Sequence, residues 1–449
     1  MKHLFSRLSP AQKIILSFLL VIFCGSLLLS LPWVQTESSQ AGYLDHLFTA
    51  VSMVCVTGLF TRSVVDTYNV WGQLLCMLLI QIGGLGILTF IGFFTMESRK
   101  KLSLKDRRIL RDSFSYGHNR TLGQFVRSIF ITTFTIEGLG ALLLMIRFIP
   151  KFGLRKGIFN SIFLAISAFC NAGFDNFGND SLLGLQTDVL VNITLALLII
   201  TGGLGFMVWF DLATKLGGKQ KGLHFHTKVV LLLTAGLLVF GTVTSLWTEY
   251  NNPGTIGNLS FGDKLLVSFF QTVSMRTAGF ASIDYTAARP VTLFIYLLQM
   301  FLGGAPGGTA GGLKITTFLV LFLFARKEIL GLPHTNMGRR TLSPQLVQKA
   351  FGVTVIFQLT FLLGLLALGL VTDSSHRFIY LIFETVSALA TVGVTANITT
   401  SLNTAGMIVI MLLMFIGRVG PLTLMVSLNH YQPKKAATLH YSKADIMIG

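Results

Sequence analysis

The sequence predicts an all-α polytopic membrane protein. Its expected architecture is four parallel helix–pore-helix–loop–helix repeats around a pseudo-fourfold pore, with eight spanning helices and four re-entrant half-helices. Two observations carry this prediction. The chain is apolar enough for repeated membrane crossings, and one short pattern recurs four times in the same orientation. The pattern is Val54-Cys55-Val56-Thr57-Gly58-Leu59, then Phe169-Cys170-Asn171-Ala172-Gly173-Phe174, Met275-Arg276-Thr277-Ala278-Gly279-Phe280 and Ala390-Thr391-Val392-Gly393-Val394. Each copy follows an amphipathic segment that runs from Phe48, Phe163, Phe270 or Phe383 to Ser52, Ser167, Ser274 or Ser387.

Composition sets the class. Of 449 residues, 52% are hydrophobic and 12% charged. Several apolar runs reach the roughly 20 residues needed to cross a bilayer. The first, residues 14–31, is followed by no clear small-x-small cleavage site and reads as a membrane helix rather than a signal peptide. Cys24, Cys55, Cys76 and Cys170 lie in or beside apolar runs without metal-ligand spacing. Cys55 and Cys170 match in position, as small residues filling a tight site do.

A net charge of +17 is common among nucleic-acid binders, but its distribution excludes that class. About two-thirds of the Lys and Arg fall in the N-terminus, 99–127, 215–228, 326–349 and the tail from Lys434. That asymmetry puts both termini in the cytoplasm of a multi-pass cell-membrane protein. Carboxylates such as Glu37, Asp45, Asp175 and Asp188 favour the outer side, where they would concentrate cations. One group departs from the rule: Arg147, Lys151, Arg155 and Lys156 fall outside.

The first repeat, residues 1–98, has a span at 14–31 closed by Pro32, a short segment at 43–53 and a returning helix at 71–96. Residues 99–214 hold a basic cytoplasmic loop and the second repeat, with segments at 125–149, 159–169 and 187–214. The third repeat, 215–326, has segments at 228–248, 262–274 and 290–325, with an intramembrane gating loop at 303–313. The fourth, 327–449, has segments at 350–371, 376–389 and 404–429, then a cytoplasmic tail. From loop glycine to inner glycine cluster is 25 residues (58 to 83), 29 (173 to 202), 24 (279 to 303) and 24 (393 to 417). Inverted repeats would alternate in orientation; these do not.

Irregular backbone at membrane depth is tolerated only against protein or a water-filled cavity. Four related loops meeting on one axis can replace ion hydration with carbonyl oxygens. Glycine reaches φ > 0 and lets backbone approach an ion without a Cβ in the way. The preceding half-helices aim C-terminal partial negative charge at the pore centre, which favours a cation. Carbonyls without obligatory carboxylates suit a monovalent ion better than calcium. The filter set is Val56, Thr57, Gly58; Asn171, Ala172, Gly173; Thr277, Ala278, Gly279; and Thr391, Val392, Gly393, with the monovalent cation at their backbone carbonyls.

On these four loops the chain resembles the Trk/Ktr/HKT superfamily of potassium transporters, and most closely the bacterial KtrB-type subunits, over nearly its whole length. The resemblance implies potassium preference, because glycine stands in all four loops, at Gly58, Gly173, Gly279 and Gly393. It also implies a homodimer with one pore per subunit and a separate cytoplasmic RCK ring binding ATP or ADP. Sodium stimulation is common among such members. The chain itself carries no cofactor motif and no nucleotide-binding module; its basic loops could serve the ring, membrane lipid or topology alone.

The third returning segment reads Gly303-Gly304-Ala305-Pro306-Gly307-Gly308-Thr309-Ala310-Gly311-Gly312-Leu313-Lys314. Glycine costs about 1 kcal/mol and proline about 3 kcal/mol in a helix interior, so this run breaks the helix and must line the cavity. A phosphate-binding loop is excluded by the missing GK[ST] ending. In the resembling family the corresponding loop is a gate. Arg418 aligns with Gly84, Gly203 and Gly304, and an intramembrane arginine is costly and usually functional. It either guards the cavity, as the resemblance implies, or binds carbonyl ends between helices. Lys314 is a second gate charge or snorkels to the cytoplasm. Glu137 reads as a helix-to-helix hydrogen-bond partner before a proton relay, and Arg276 with Glu384 as a pair across the filter.

The expected function is therefore potassium uptake through a channel-like filter. The alternative is a secondary transporter coupling potassium to sodium or protons, which would need a second ion site. An enzyme is not expected: H-E-x-x-H, Cys/His clusters and paired intramembrane carboxylates are all missing from the sequence.

Overall fold

The computed structural model describes residues 10–86, 122–178, 181–218, 220–372 and 377–420. The basic loop expected at 97–122 and the tail beyond Gly420 lie outside these residues, apart from the start of one helix. Regular structure here is helical except for one two-residue hairpin, Asn336–Met337 paired with Arg340–Thr341.

The chain repeats one sequence of elements four times. A long helix comes first: α1 (Pro10–Leu29), α4 (Leu122–Phe152), α8 (Phe225–Glu249) and α12 (Pro344–Val371). A half-helix follows: α2 (Tyr43–Val54), α5 (Leu154–Phe169), α9 (Phe261–Ser274) and α13 (Phe378–Leu389). After an irregular loop the chain returns through α3 (Val70–Leu85), α6 (Val189–Gly203), α10 (Pro290–Phe301) or α14 (Thr404–Val419). Two further helices follow, α7 (Phe206–Leu216) after α6 and α11 (Ile315–Ile329) after α10.

Local sequence starts the returning helices. The side chains of Asn69, Asp188 and Asn403 accept bonds from first-turn N–H groups of α3, α6 and α14. These caps satisfy donors that have no partner inside the helix. Pro290 opens α10, where its missing N–H costs nothing. The four long helices are long and apolar enough to cross a membrane, and the α6–α7 pair makes a fifth, bent by 98°. Their outward faces carry exposed apolar side chains such as Leu232 and Leu370.

The returning helices expected at 71–96, 187–214 and 404–429 are each interrupted inside the glycine cluster, at Gly86 (φ 84), Gly205 (φ 90) and Gly420 (φ 90); residues 87–96 and 421–429 lie outside the described residues. All three conformations lie in the left-handed region, which a continuing α-helix cannot use. Only at the third returning segment does the sequence predict a break.

Packing closes the four units into a ring. Each returning helix lies against the half-helix of the next unit: α3 on α5, α6 on α9, α10 on α13 and α14 on α2. Phe48, Phe163, Phe270 and Phe383 of the half-helices are fully buried in this ring. Truncating such a side chain to alanine costs about 3–5 kcal/mol, so the same four phenylalanines that mark the repeats also hold the half-helices in place.

Candidate functional site

Each half-helix ends at a cap residue, Cys55, Cys170, Met275 or Ala390, and the chain then turns sharply. Two positions per loop are left-handed. The first holds Val56 (φ 56), Asn171 (φ 58), Thr277 (φ 67) and Thr391 (φ 51); the second is the glycine, at φ 104, 70, 83 and 98 for Gly58, Gly173, Gly279 and Gly393. Left-handed geometry costs a β-branched residue about 1–3 kcal/mol and persists where the surroundings impose it. Its recurrence at one position in four loops shows that the four turns share one backbone conformation. The third loop differs in spacing: Ser274 lies five residues before Gly279, against six in the other three loops, and Arg276 stands where Cys55, Cys170 and Ala390 stand, just before the left-handed residue.

Serines pin three of the loops. Ser52 and Ser387 accept from the N–H of Gly58 (3.1 Å) and Gly393 (3.0 Å), and Ser167 accepts from Phe174 (2.9 Å). In the third loop the sense reverses, and Ser274 donates to the Phe280 carbonyl at 2.6 Å. These serines stood in the recurring segments, but their role was not read from them.

The four glycines form a closed circuit. A Cβ added to Gly58 would stand 2.8 Å from the Ala172 oxygen, and one on Gly173 2.8 Å from the Ala278 oxygen. One on Gly279 would stand 2.6 Å from the Val392 oxygen, and one on Gly393 would collide with the Thr57 oxygen. Each glycine thus faces the carbonyl just before the glycine of the next loop, and the last faces the first. All twelve expected filter residues are brought together, and no side chain other than hydrogen fits at the glycine positions.

Beneath this circuit the inner glycines admit the half-helix ends. Gly83, Gly202 and Gly417 lie directly against the terminal carbonyls of Val54, Phe169 and Leu389. In the third unit, Gly303 instead lies against the carbonyl of Gly311. Gly84 abuts Cys170, whose thiol lies 3.7 Å from Gln81 Oε1 and 3.9 Å from Glu137 Oε1. Gln81 also donates to Glu137 at 3.0 Å, so Glu137 joins α4 to α3 as expected of a helix-to-helix contact. Among the described residues no group of His, Cys, Asp and Glu has the form of a metal site.

The loop from Gly303 to Lys314 crosses under the circuit and touches the second and fourth units as well as its own. Ala305 and Thr309 donate their N–H to the carbonyls of Gly203 (2.9 Å) and Gly202 (3.2 Å), and Phe206 donates to Gly307 (3.0 Å). The Thr309 hydroxyl donates to Phe169 at 3.1 Å, at the end of the second half-helix. Gly311 donates to the Thr277 hydroxyl at 3.0 Å, and a Cβ on Gly311 would meet the Ala390 oxygen at 2.7 Å. Gly304 and Gly308 pack on the Gly202–Gly203 backbone, Gly312 (φ 64) turns the chain back beside Gly303, and Gly307 (φ 72) has open space. Thr309 and Thr277 are tethers that sequence reasoning missed; their partners lie 140 and 34 residues away.

Arg418 donates to the carbonyls of Thr309, Gly83 and Gly84, joining the loop to the first and fourth units. Lys314 donates to Ala310 at 2.7 Å, so it staples the loop and does not snorkel. The expected pairing of Arg276 with Glu384 is not present. Glu384 is fully buried and accepts from Thr395 (2.6 Å) and Thr399 of its own unit, while Arg276 Nε has no hydrogen-bond partner among the described residues. Arg276 faces a small cleft that includes Asn171, Gly203 and Gly304. Arg147, which departs from the expected charge pattern, is partnered by Asp188 at the N-terminal cap of α6.

Four membrane units whose irregular backbone converges on one axis define a membrane transport protein rather than an enzyme. The chain belongs to the TrkH family of cation transport proteins, whose profile matches residues 7–438. Ktr system potassium uptake protein B of Bacillus subtilis is 38% identical over 99% of this chain and 97% of its own length. Potassium/sodium uptake protein NtpJ of Enterococcus hirae is 38% identical over 100% of this chain and 99% of its own. The fold matches the crystal structure of the potassium transporter TrkH from Vibrio parahaemolyticus, with a TM-score of 0.73 at 17% identity over 93% of this chain and 84% of that one.

Proposed function

We propose that this chain takes up potassium through a filter made by the twelve loop residues, gated by the Gly303–Lys314 loop and Arg418. The observation that carries the reading is the closed circuit of glycines and carbonyls. Backbone oxygens from four loops come together where no side chain fits, and the half-helix ends add partial negative charge below them. A monovalent cation loses its water to such a ring more readily than a divalent one, which usually takes carboxylate ligands. The relatives' names, potassium uptake and potassium/sodium uptake, agree with a monovalent cation.

The four repeats, 1–98, 99–214, 215–326 and 327–449, are then four quadrants of one pore. Arg418 holds the gate loop closed and places a positive charge in the ion's path. Both termini face the cytoplasm, and the protein is a homodimer controlled by a cytoplasmic RCK ring that binds ATP or ADP. Sodium stimulation of the uptake belongs to the same reading.

The deciding experiment is cation flux through the purified chain in liposomes, potassium against sodium, for wild type and Gly279→Ser. Potassium-favouring flux that weakens in the variant supports the filter. Equal flux of both ions, or flux indifferent to the substitution, removes it. A second reading, coupling of potassium to sodium, draws on the name of the Enterococcus relative. It requires a fixed stoichiometry between the two fluxes.

A further inference from the structure

A cavity of about 590 Å³ opens between the last turn of α11 and the first turns of α12, with the Asn336–Thr341 hairpin beside it. We infer that this cavity binds an anionic membrane phospholipid, with one acyl chain inside and the phosphate at its basic rim. The inference rests on membrane insertion and is independent of which ion the pore carries.

Two properties of the cavity coincide. Its walls are apolar, built from Phe324, Leu342, Val347 and Phe351. They continue into exposed apolar side chains further along the same helices, Phe318 and Phe322 on α11 and Val355 and Leu359 on α12. An acyl chain therefore enters sideways from the hydrocarbon without passing through water, keeping the favourable burial of its methylenes.

The segment around the mouth is basic, and among the described residues Lys327 is the one charged side chain that lines the cavity. Residues 326–349 carry Arg326, Lys327, Arg339, Arg340 and Lys349 against the single acid Glu328. Lys327 lines the cavity, held 2.7 Å from the exposed Glu328. Arg340 lies over the Phe225 ring at 4.5 Å, which fixes the hairpin against α8. The first turn of α12, capped by Ser343, presents the positive end of a 28-residue helix at the same mouth. A neutral hydrocarbon would leave this charge unused, and a soluble anion would leave the apolar walls unused. An amphiphile with an anionic head uses both, and the basic end of the molecule is where such headgroups lie.

Gly352 supplies a clean test. It lines the cavity, and a side chain added there meets nothing within 4 Å, so Gly352→Phe fills the space without strain. Lys327→Gln removes the rim charge. The purified full chain in neutral detergent is offered dioleoyl phosphatidylglycerol or dioleoyl phosphatidylcholine, and retained lipid and subunit number are read together by native mass spectrometry. Wild type is expected to retain phosphatidylglycerol several-fold over phosphatidylcholine. Both variants are expected to lose that preference with subunit number and lipid-free melting temperature unchanged. Equal retention of the two lipids by wild type overturns the inference, as does undiminished preference in Lys327→Gln. A change in subunit number with lipid retention intact would assign the cavity to a protein interface and equally overturn it.

Discussion

Arg418 and Thr309 meet beneath the four loops, 109 residues apart in the chain, with the guanidinium donating to the threonine carbonyl. The same guanidinium donates to the Gly83 and Gly84 carbonyls. One side chain of the fourth unit therefore holds the third unit's loop and the first unit's helix end at once. This joins the two roles that sequence reading left as alternatives: the arginine binds carbonyl ends, and one of those ends belongs to the loop.

Arg418→Gln is expected to raise potassium flux in liposomes lacking any cytoplasmic partner. A hydrogen bond from a charged donor is worth about 1.5–3 kcal/mol, which shifts the opening equilibrium by roughly 10- to 100-fold. Flux equal to wild type would make the arginine a structural clasp only.

The loop glycines are not equivalent, and Gly393 tolerates least. A Cβ there collides with the Thr57 oxygen, whereas at Gly58 the nearest oxygen is 2.8 Å away. Both are left-handed, so the backbone strain is similar and the steric difference decides. Gly393→Ala is expected to lower potassium-over-sodium preference more than Gly58→Ala, as read from reversal potentials. The opposite order would mean that the circuit does not set selectivity.

Glu384 serves its own unit. Glu384→Ala strands the Thr395 and Thr399 hydroxyls, at a cost of about 1–3 kcal/mol for each buried group left unpaired. The melting temperature should fall accordingly. The charge-swapped double variant Arg276→Glu with Glu384→Arg should recover neither stability nor flux. Recovery would restore the direct pair.

Asp175 lies in the link between the second loop and α6, which the charge pattern predicts to face outside. Burial pushes its carboxyl up to about 6, against the opposing pull of the Ser181 hydroxyl and the Phe177 N–H. Folding thus favours the protonated form, so this group's contribution to stability is greatest at low pH and declines as pH rises through about 6. Its charge behaves oppositely: above pH 6 it adds negative potential at the mouth, and below it does not. Uptake at subsaturating potassium is expected to fall as external pH drops through about 6, and Asp175→Asn should flatten that dependence. An unaltered profile in the variant would assign it to another group.

The four units were legible because a phenylalanine, a serine and a glycine recur at nearly fixed spacing, and each has a physical task in the ring. The breaks at Gly86, Gly205 and Gly420 were not. A single glycine costs a helix only about 1 kcal/mol, too little to interrupt a long apolar run by itself. At Gly205 close approach between units decides: a Cβ there would stand 2.6 Å from the Pro306 carbonyl of the third unit. Glu384 misled for a related reason. Its spacing from the loop put it near Arg276, but two threonines downstream already satisfy it.

The first left-handed position is Val56 in one loop, Asn171 in the next, and threonine in the last two. A channel assembled from identical subunits inherits any such change in every wall together. Here each wall is encoded separately, so mutation can adjust one wall while the other three stay as they were. Arg276 in the place of two cysteines and an alanine, the single Arg418 and the single glycine-rich crossing loop are the kind of differences that gene duplication followed by independent drift allows and that a homotetramer cannot hold.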